Sequence, residues 1–239
     1  MYCLAFAEPN HGSDLAAVET RGDVHGTELV VTGRKTWVAG ADRAGVAMVL
    51  CRTAPVELSC VLVPLRGENV ELRPIRTLSG ALALFDVTFD GVCVPIRNLV
   101  GERGDGLRLA RAALQRTRWH DAEQEFWDLV QTARDYGRSR DPHVRQQLAW
   151  AYAQVRVSCF LAERDPSLAD LVWSEYHRRL GEIAMDVLGA DGLVRTAAEG
   201  YATNRWQHVF LTSRADTIAA GTSELQRNRI AEHVLGLPT

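Results

Sequence analysis

Three short stretches of this 239-residue sequence combine residue types that can do chemistry. Near the C-terminal end, Asp216-Thr217-Ile218-Ala219-Ala220-Gly221-Thr222-Ser223-Glu224 runs from a small-residue turn into a helix start. Gly221 permits a positive φ or a close backbone approach, and Thr222 or Ser223 can cap the helix. The amides of the first helical turn then favour a phosphate or another anion; an ordinary structural helix start has the same pattern. The second stretch is Ala7-Glu8-Pro9-Asn10-His11-Gly12-Ser13-Asp14. Pro9 sets an extended path, Gly12 allows close approach, and Ser13 with its neighbouring amides can donate to an anion. A plain turn shares that composition. The third, Gly33-Arg34-Lys35-Thr36-Trp37-Val38-Ala39, places a flat indole in a strand. That indole is either core packing or the neighbour of a flat cofactor ring.

The elements that must position these residues fall into two halves. Up to about residue 100, short apolar segments alternate with turn residues, which predicts strands over 3–7, 18–22, 28–31, 35–38, 46–52, 59–64, 70–75 and 82–89. Turn chemistry separates them at Pro9-Asn10, His25-Gly26, Gly40-Ala41 and Gly67-Glu68-Asn69. Even spacing argues for antiparallel pairing rather than βαβ units. From Gly106 onward the pattern is helical, with Leu107, Ala110, Leu114, then Phe126, Leu129 and Ala133 recurring every three or four residues. Asp141-Pro142 and Asp165-Pro166 each open a new helix with Pro in its first turn. The second of these runs to about Leu188, where Gly189-Ala190-Asp191-Gly192 ends it. A shorter helical piece, a loop rich in aromatics (Tyr201, Trp206, Phe210) and a last helix from about Thr222 to Val234 follow. The expected fold is α+β: an antiparallel sandwich or barrel-like domain over 1–100, then an up-down four-helix bundle over 101–239.

Composition bounds the function. Hydrophobic content of 46% and charged content of 24% fit a globular protein with real cores. A net charge of −3 gives no electrostatic case for nucleic-acid or membrane binding. The five cysteines are scattered without a CxxC pair, so neither a zinc site nor a disulfide framework is expected, and a reducing, cytoplasmic setting is. There is no signal-peptide pattern and no apolar run near about 18 residues.

The order of the motifs resembles the acyl-CoA dehydrogenase family. Glu8-Pro9-x-x-Gly12-Ser13-Asp14, then Gly33-x-Lys35-x-Trp37, then Pro74-Ile75-Arg76, then Phe89-Asp90-Gly91-Val92 with Asn98-Leu99-Val100-Gly101-Glu102 are similar to that family's middle β domain. The helical half is similar to its C-terminal four-helix domain, and no stretch here corresponds to its N-terminal helical domain. The resemblance implies FAD as cofactor and α,β-dehydrogenation of an acyl thioester such as acyl-CoA. It also implies site residues. Phe6 and Ala7 line the flavin's pyrimidine edge, and Gly12 and Ser13 lie near the pyrophosphate and acyl-CoA. Trp37, Val38 and Ala39 flank the isoalloxazine. Gly189 and Gly192 belong to a turn offered to a neighbouring subunit's FAD, and Thr222 and Glu224 face the ribose and adenosine.

The departures from the family pattern are as informative. The catalytic Glu that normally precedes the Gly is replaced by Ala220, and its alternative place on the first long helix is Thr117. Ala39 stands where a Ser or Thr hydroxyl normally bonds flavin N5. Asp186 replaces a Gln in the turn offered to a neighbour's FAD, and the Arg-x-x-Phe-Gly motif is absent. Together these imply an accessory subunit without its own catalytic base, working beside a second acyl-CoA dehydrogenase-like chain in a hetero- or homo-oligomer. Two alternatives stay open: a self-sufficient flavoenzyme with a relocated base, for which Asp216, Glu224, Asp121 and Glu123 are near in sequence, and a scaffold that has lost FAD.

Overall fold

The computed structural model describes residues 1–114, 121–164, 166–194 and 203–238. It separates into two compact units, Met1–Thr77 with Ala81–Leu114, and Leu78–Gly80 with Gln115–Thr239.

The first unit is built on an eight-stranded sheet. Its strands are β1 (Tyr2–Ala5), β2 (Arg21–His25), β3 (Glu28–Ala39), β4 (Val46–Ala54), β5 (Glu57–Pro64), β6 (Val70–Ile75), β7 (Leu84–Pro95) and β8 (Leu99–Val100). They run in the order β6-β7-β3-β2-β4-β5-β8, with β1 paired to β4. The hairpins are antiparallel as expected, but β1 lies parallel to β4, and so does the single bridge from β2 to β4. The β2–β3 hairpin intervenes between β1 and β4, and only such a crossover brings two parallel strands together.

The predicted strands 28–31 and 35–38 are one strand. β3 continues through Gly33 by shifting register against β7 twice, between Val31 and Gly33 and between Lys35 and Val38. Gly33 adopts φ 154°, and a Cβ there would meet Thr20 Oγ1 at 2.4 Å. Glycine is what lets the strand bulge instead of ending. β4 shows why its sequence is a continuous apolar run. Ala47, Val49 and Cys51 join one buried cluster, while Met48 and Leu50 join another on the opposite face. That second face is covered by α1 (Gly106–Leu114), whose Ala110 packs with Phe6, Leu58 and Cys60. A Cβ on Gly106 would lie 2.6 Å from the Leu58 carbonyl, so only glycine lets this helix lie so close to β5. α1 opens the helical half of the sequence and packs with the first compact unit.

The second unit contains α2 (Ala122–Asp135), α3 (Pro142–Arg164), α4 (Pro166–Leu188), α5 (Arg205–Asp216) and α6 (Ser223–Arg229), the last continued by a π-helical turn over Ile230–Val234. α3 starts as its Asp-Pro pair predicts, with Asp141 Oδ1 accepting from the amides of His143 and Val144. Helices α2 to α5 share one core around Phe126, Leu129, Val155, Tyr176, Leu180 and Trp206. Trp206 and Phe210 lie in α5 rather than in the expected loop; Tyr201 is outside the described residues. The start signal was present in the sequence: Asn204 and Gln207 form a reciprocal capping box. It was obscured because α5 buries Gln207 and Ser213 beside Trp206 and Val209, so its buried stripe is not purely apolar. α5 also approaches α4 closely, since a Cβ on Gly181 would sit 2.7 Å from Phe210 Cα. The architecture is α+β, and no helix among the described residues is long and apolar enough to cross a membrane.

Candidate functional site

In the β unit the structure gathers two of the three stretches around one buried ion pair. Lys35 is fully buried and Glu8 is 6% exposed. Lys35 Nζ donates to Glu8 Oε1 at 2.7 Å and to the Phe6 carbonyl at 3.0 Å. Glu8 also accepts from the amides of Glu19 at 2.7 Å and Thr20 at 2.8 Å. Burial works to raise the Glu8 carboxyl, but the Lys35 ammonium and these donors outweigh it and hold it below the ordinary carboxylate range. Burial lowers the Lys35 ammonium, against the pull of Glu8. Neither residue was assigned a role from the sequence. Their equal share in two well-separated motifs was the only signal.

The pair fixes the backbone of the predicted flavin-facing residues. The Thr36 amide donates to the Ala7 carbonyl at 2.9 Å, and Thr36 Oγ1 donates to Asp86 Oδ1 at 2.5 Å. Phe6 and Ala7 therefore have both carbonyls engaged inside the unit, and the Phe6 ring is buried in the core beneath α1. Just beyond this network Trp37 takes φ 59° with its indole 59% exposed, while Val38 points into the core. Ala39 is exposed and offers only a methyl group. Gly12 and Ser13 are exposed on the turn closed by the reciprocal Glu8–His11 backbone bonds. Asp14 is spent on the Ala16 amide.

The helical unit holds the rest. Ala220 has φ 65°, followed by Gly221 at 111°. Gln226 Nε2 donates to the Ala220 carbonyl at 3.1 Å, closing the turn. Thr222 caps α6 by accepting from the Leu225 amide at 3.3 Å. Glu224 lies in the first turn of α6, where hydrogen bonds from its own amide and the Thr222 side chain keep its carboxyl below the ordinary range. Thr117, the other position considered for a base, lies outside the described residues.

Asp216 is committed elsewhere. Its Oδ2 lies 2.8 Å from His177 Nδ1, Glu125 Oε2 lies 3.5 Å from the other ring nitrogen, and the imidazole stacks on Trp173 with centroids 4.9 Å apart. Burial pushes the Glu125 carboxyl up, with the facing imidazole opposing it. No local pattern marks this cluster, because its members come from three separate helices.

Gly189 and Gly192 lie on a cleft of about 780 Å³ with Arg138, Asp186 and Phe210. Gln207 Nε2 ties the turn to α5 through the carbonyls of Gly192, at 2.7 Å, and Val194, at 2.9 Å. Asp186 is exposed there and accepts from Gln147 Nε2 at 2.7 Å. The mouth thus carries the Asp186 carboxylate, with the Arg138 guanidinium lining the same cleft.

Two family models match successive parts of the chain. Residues 3–92 match the family model "Acyl-CoA dehydrogenase, middle domain", and residues 104–235 match "Acyl-CoA dehydrogenase, C-terminal domain". The acyl-CoA dehydrogenase IpdE1 of Mycobacterium tuberculosis is 36% identical over 261 residues, spanning 100% of this chain and 67% of that protein. A solved structure described as the Tcur3481-Tcur3483 steroid ACAD is 26% identical, with a TM-score of 0.80 over 100% of this chain and 68% of its own. The fold is also that of the ChsE4-ChsE5 complex from M. tuberculosis, at 24% identity and a TM-score of 0.85 over 100% of this chain and 69% of its own. The chain belongs to the acyl-CoA dehydrogenase family.

Proposed function

We propose that this chain is an accessory subunit of a heteromeric acyl-CoA dehydrogenase and relies on a second family chain for the base that removes the α-proton of an acyl thioester. The observation that carries this reading is Ala220. Its turn keeps a left-handed backbone and the Gly221-Thr222 cap, yet a methyl group stands where a carboxylate is required for proton abstraction. The nearby carboxylates are poor replacements. Asp216 is held by His177, and Glu224 is stabilised as the anion by the start of α6. The relatives described by paired subunit names, Tcur3481-Tcur3483 and ChsE4-ChsE5, make a heteromer the natural setting.

FAD, when bound in this family, supplies the hydride acceptor. In this chain Trp37 fits one face of a flat ring, held out by the Lys35–Glu8 network. Ala39 gives no hydroxyl to its N5, and Asp186 places a carboxylate in the bundle cleft. The chain thus contributes a ring-flanking wall and shape, while proton transfer falls to the partner. The test is flavin content per protomer, for the chain alone and co-expressed with a full-length homologue, together with anaerobic flavin bleaching by acyl-CoA. The reading expects substoichiometric flavin alone and bleaching only with the partner. One FAD per chain, with bleaching in the absence of any partner, overturns it.

A further inference from the structure

The imidazole of His177 has one ring nitrogen satisfied and the other not. It is buried on α4 and stacks on Trp173, 18° from parallel. Nδ1 makes a 2.8 Å hydrogen bond with Asp216 Oδ2 of α5. Nε2 is shut off from solvent without a hydrogen-bond partner among the described residues, although Glu125 Oε2 of α2 faces it at 3.5 Å. That gap is longer than a good hydrogen bond and too short to seat a water between the two atoms. With Asp216 holding the Nδ1 proton, a singly protonated ring turns a bare lone pair toward Glu125. A carboxylate there repels it, whereas a proton on either Nε2 or Oε2 makes a bond. Leaving both buried acceptors unmade is costly.

The groups around the gap favour keeping that proton. Glu125 and Asp121 come from α2 and its start, Asp216 and Arg205 from the two ends of α5. Arg205 is already engaged by Asp128 at 2.6 Å. On α4 itself, Tyr176 donates its hydroxyl to the Ala122 carbonyl at 3.2 Å. Three carboxylates therefore face one guanidinium that is paired elsewhere, and burial adds its own resistance to a charged Glu125. The cluster also bears on the turn that carries Ala220, which begins directly after Asp216. α4 anchors that turn at both ends: His177 holds Asp216, and Glu175 holds Arg227 of α6 at 3.1 Å. The Ser223 amide closes the turn onto the Thr217 carbonyl at 3.0 Å.

We propose that the Glu125–His177 gap holds one exchangeable proton and works as a pH-operated latch on this turn. With the proton present, the imidazole bonds both carboxylates and ties α2 to the end of α5 across α4. With the proton passed to solvent, Nε2 and Glu125 face each other as two acceptors. α2 then lets go, and the ring that holds Asp216 loses one of its two fixings. The proton belongs to the pair rather than to either residue. The latch is closed in acid and opens as pH rises. It lies wholly within the helical unit and does not rest on the accessory-subunit reading.

Amide hydrogen exchange of the full chain, alone or in the complex with which it purifies, tests the latch from about pH 4 to about pH 8. Rates are corrected for the intrinsic dependence of exchange on pH. Amides in the first turns of α2 and from Thr217 to Leu225 are expected to lose protection by about ten-fold or more across one transition, since one proton shifts the closed population about ten-fold per pH unit. Those of α3 are expected to keep theirs. Glu125→Gln puts an amide N–H where the proton sits and is expected to stay closed throughout. His177→Phe keeps an aromatic ring against Trp173, removes both bonds and is expected to be open throughout. Nitrogen NMR of the His177 ring in the native chain gives a readout independent of any variant. Nε2 is expected to change in the same pH step as the α2 protection, while Nδ1 keeps its proton. Flat native protection over this range, a Glu125→Gln profile that follows the native one, or an Nε2 change at a different pH from the loss of protection overturns the proposal.

Discussion

Trp37 in the β unit and Ala220 in the helical unit are the two non-glycine residues with positive φ among the described residues, at 59° and 65°. Such a backbone costs about 1–2 kcal/mol for an L-residue and persists only where its surroundings impose it. The surroundings differ. Trp37 follows the fully buried Lys35 and the doubly bonded Thr36, so charge and hydrogen bonds fix the strand end before the indole emerges. Ala220 is held more lightly, by the Gln226 side chain and by the Ser223 amide donating to the Thr217 carbonyl at 3.0 Å. One region pairs its strained backbone with a large exposed indole, the other with a methyl group. Backbone shape and side-chain chemistry are therefore separable: local contacts hold the same left-handed φ beneath an indole and beneath a methyl group.

The largest break in this comparison is Lys35→Met. It leaves the Glu8 carboxylate buried without its partner, and a loss of about 3–5 kcal/mol from the β unit is expected. The double variant Glu8→Gln/Lys35→Met is expected to lose distinctly less, because no uncompensated charge remains. Urea unfolding followed by a probe in the β unit checks both, and equal losses would show that the pair is not the clamp. Acid is a gentler form of the same break. The folded-state Glu8 carboxyl is depressed, so its contribution is complete above the ordinary carboxylate value of about 4.3 and is lost as pH falls through the depressed value. The native β unit should melt earlier on acidification through that window, whereas Glu8→Gln should show a flatter profile. Glu125 in the helical unit has the opposite sign. Its raised carboxyl contributes stability below the ordinary value, and that contribution is lost as pH rises through the folded value. Glu125→Gln should flatten the helical unit's pH profile over that range. The smallest change sharpens the other end of the comparison. Ala220→Gly should stabilise the helical unit by about 1 kcal/mol, through relief of the left-handed alanine less the entropy that glycine adds to the unfolded chain. A loss on the same thermal melt would mean that the Ala220 methyl is held by packing.

The legible part of the fold was whatever a local rule sets. The β-then-α order, the Asp-Pro helix starts and most strand positions followed from periodicity and turn chemistry. The pattern divides β3 in two because a glycine inside a strand looks like an end, and only the Thr20 side chain packed beneath Gly33 shows it to be a bulge. Around Trp206 and Phe210 the periodicity reads as a loop because the buried side of α5 mixes polar with apolar residues. Of the site, the positions of Trp37, Ala39 and Ala220 were legible through the family motifs. The Glu8–Lys35 clamp and the Glu125–His177–Asp216 cluster were not, since each joins residues from distant segments and no local pattern encodes that meeting.

By itself the sequence determined what is chemically absent: a carboxylate at position 220, a hydroxyl at position 39, and a neutral amide at position 186. Side-chain chemistry is fixed by residue identity, so no fold can restore it. The tertiary structure decided which charges are buried together, which strands run parallel, and which apolar helix face remains exposed. Those depend on packing between segments far apart in the chain, where burial turns an unremarkable Lys and Glu into a clamp and leaves the Trp150–Phe160 side of α3 exposed.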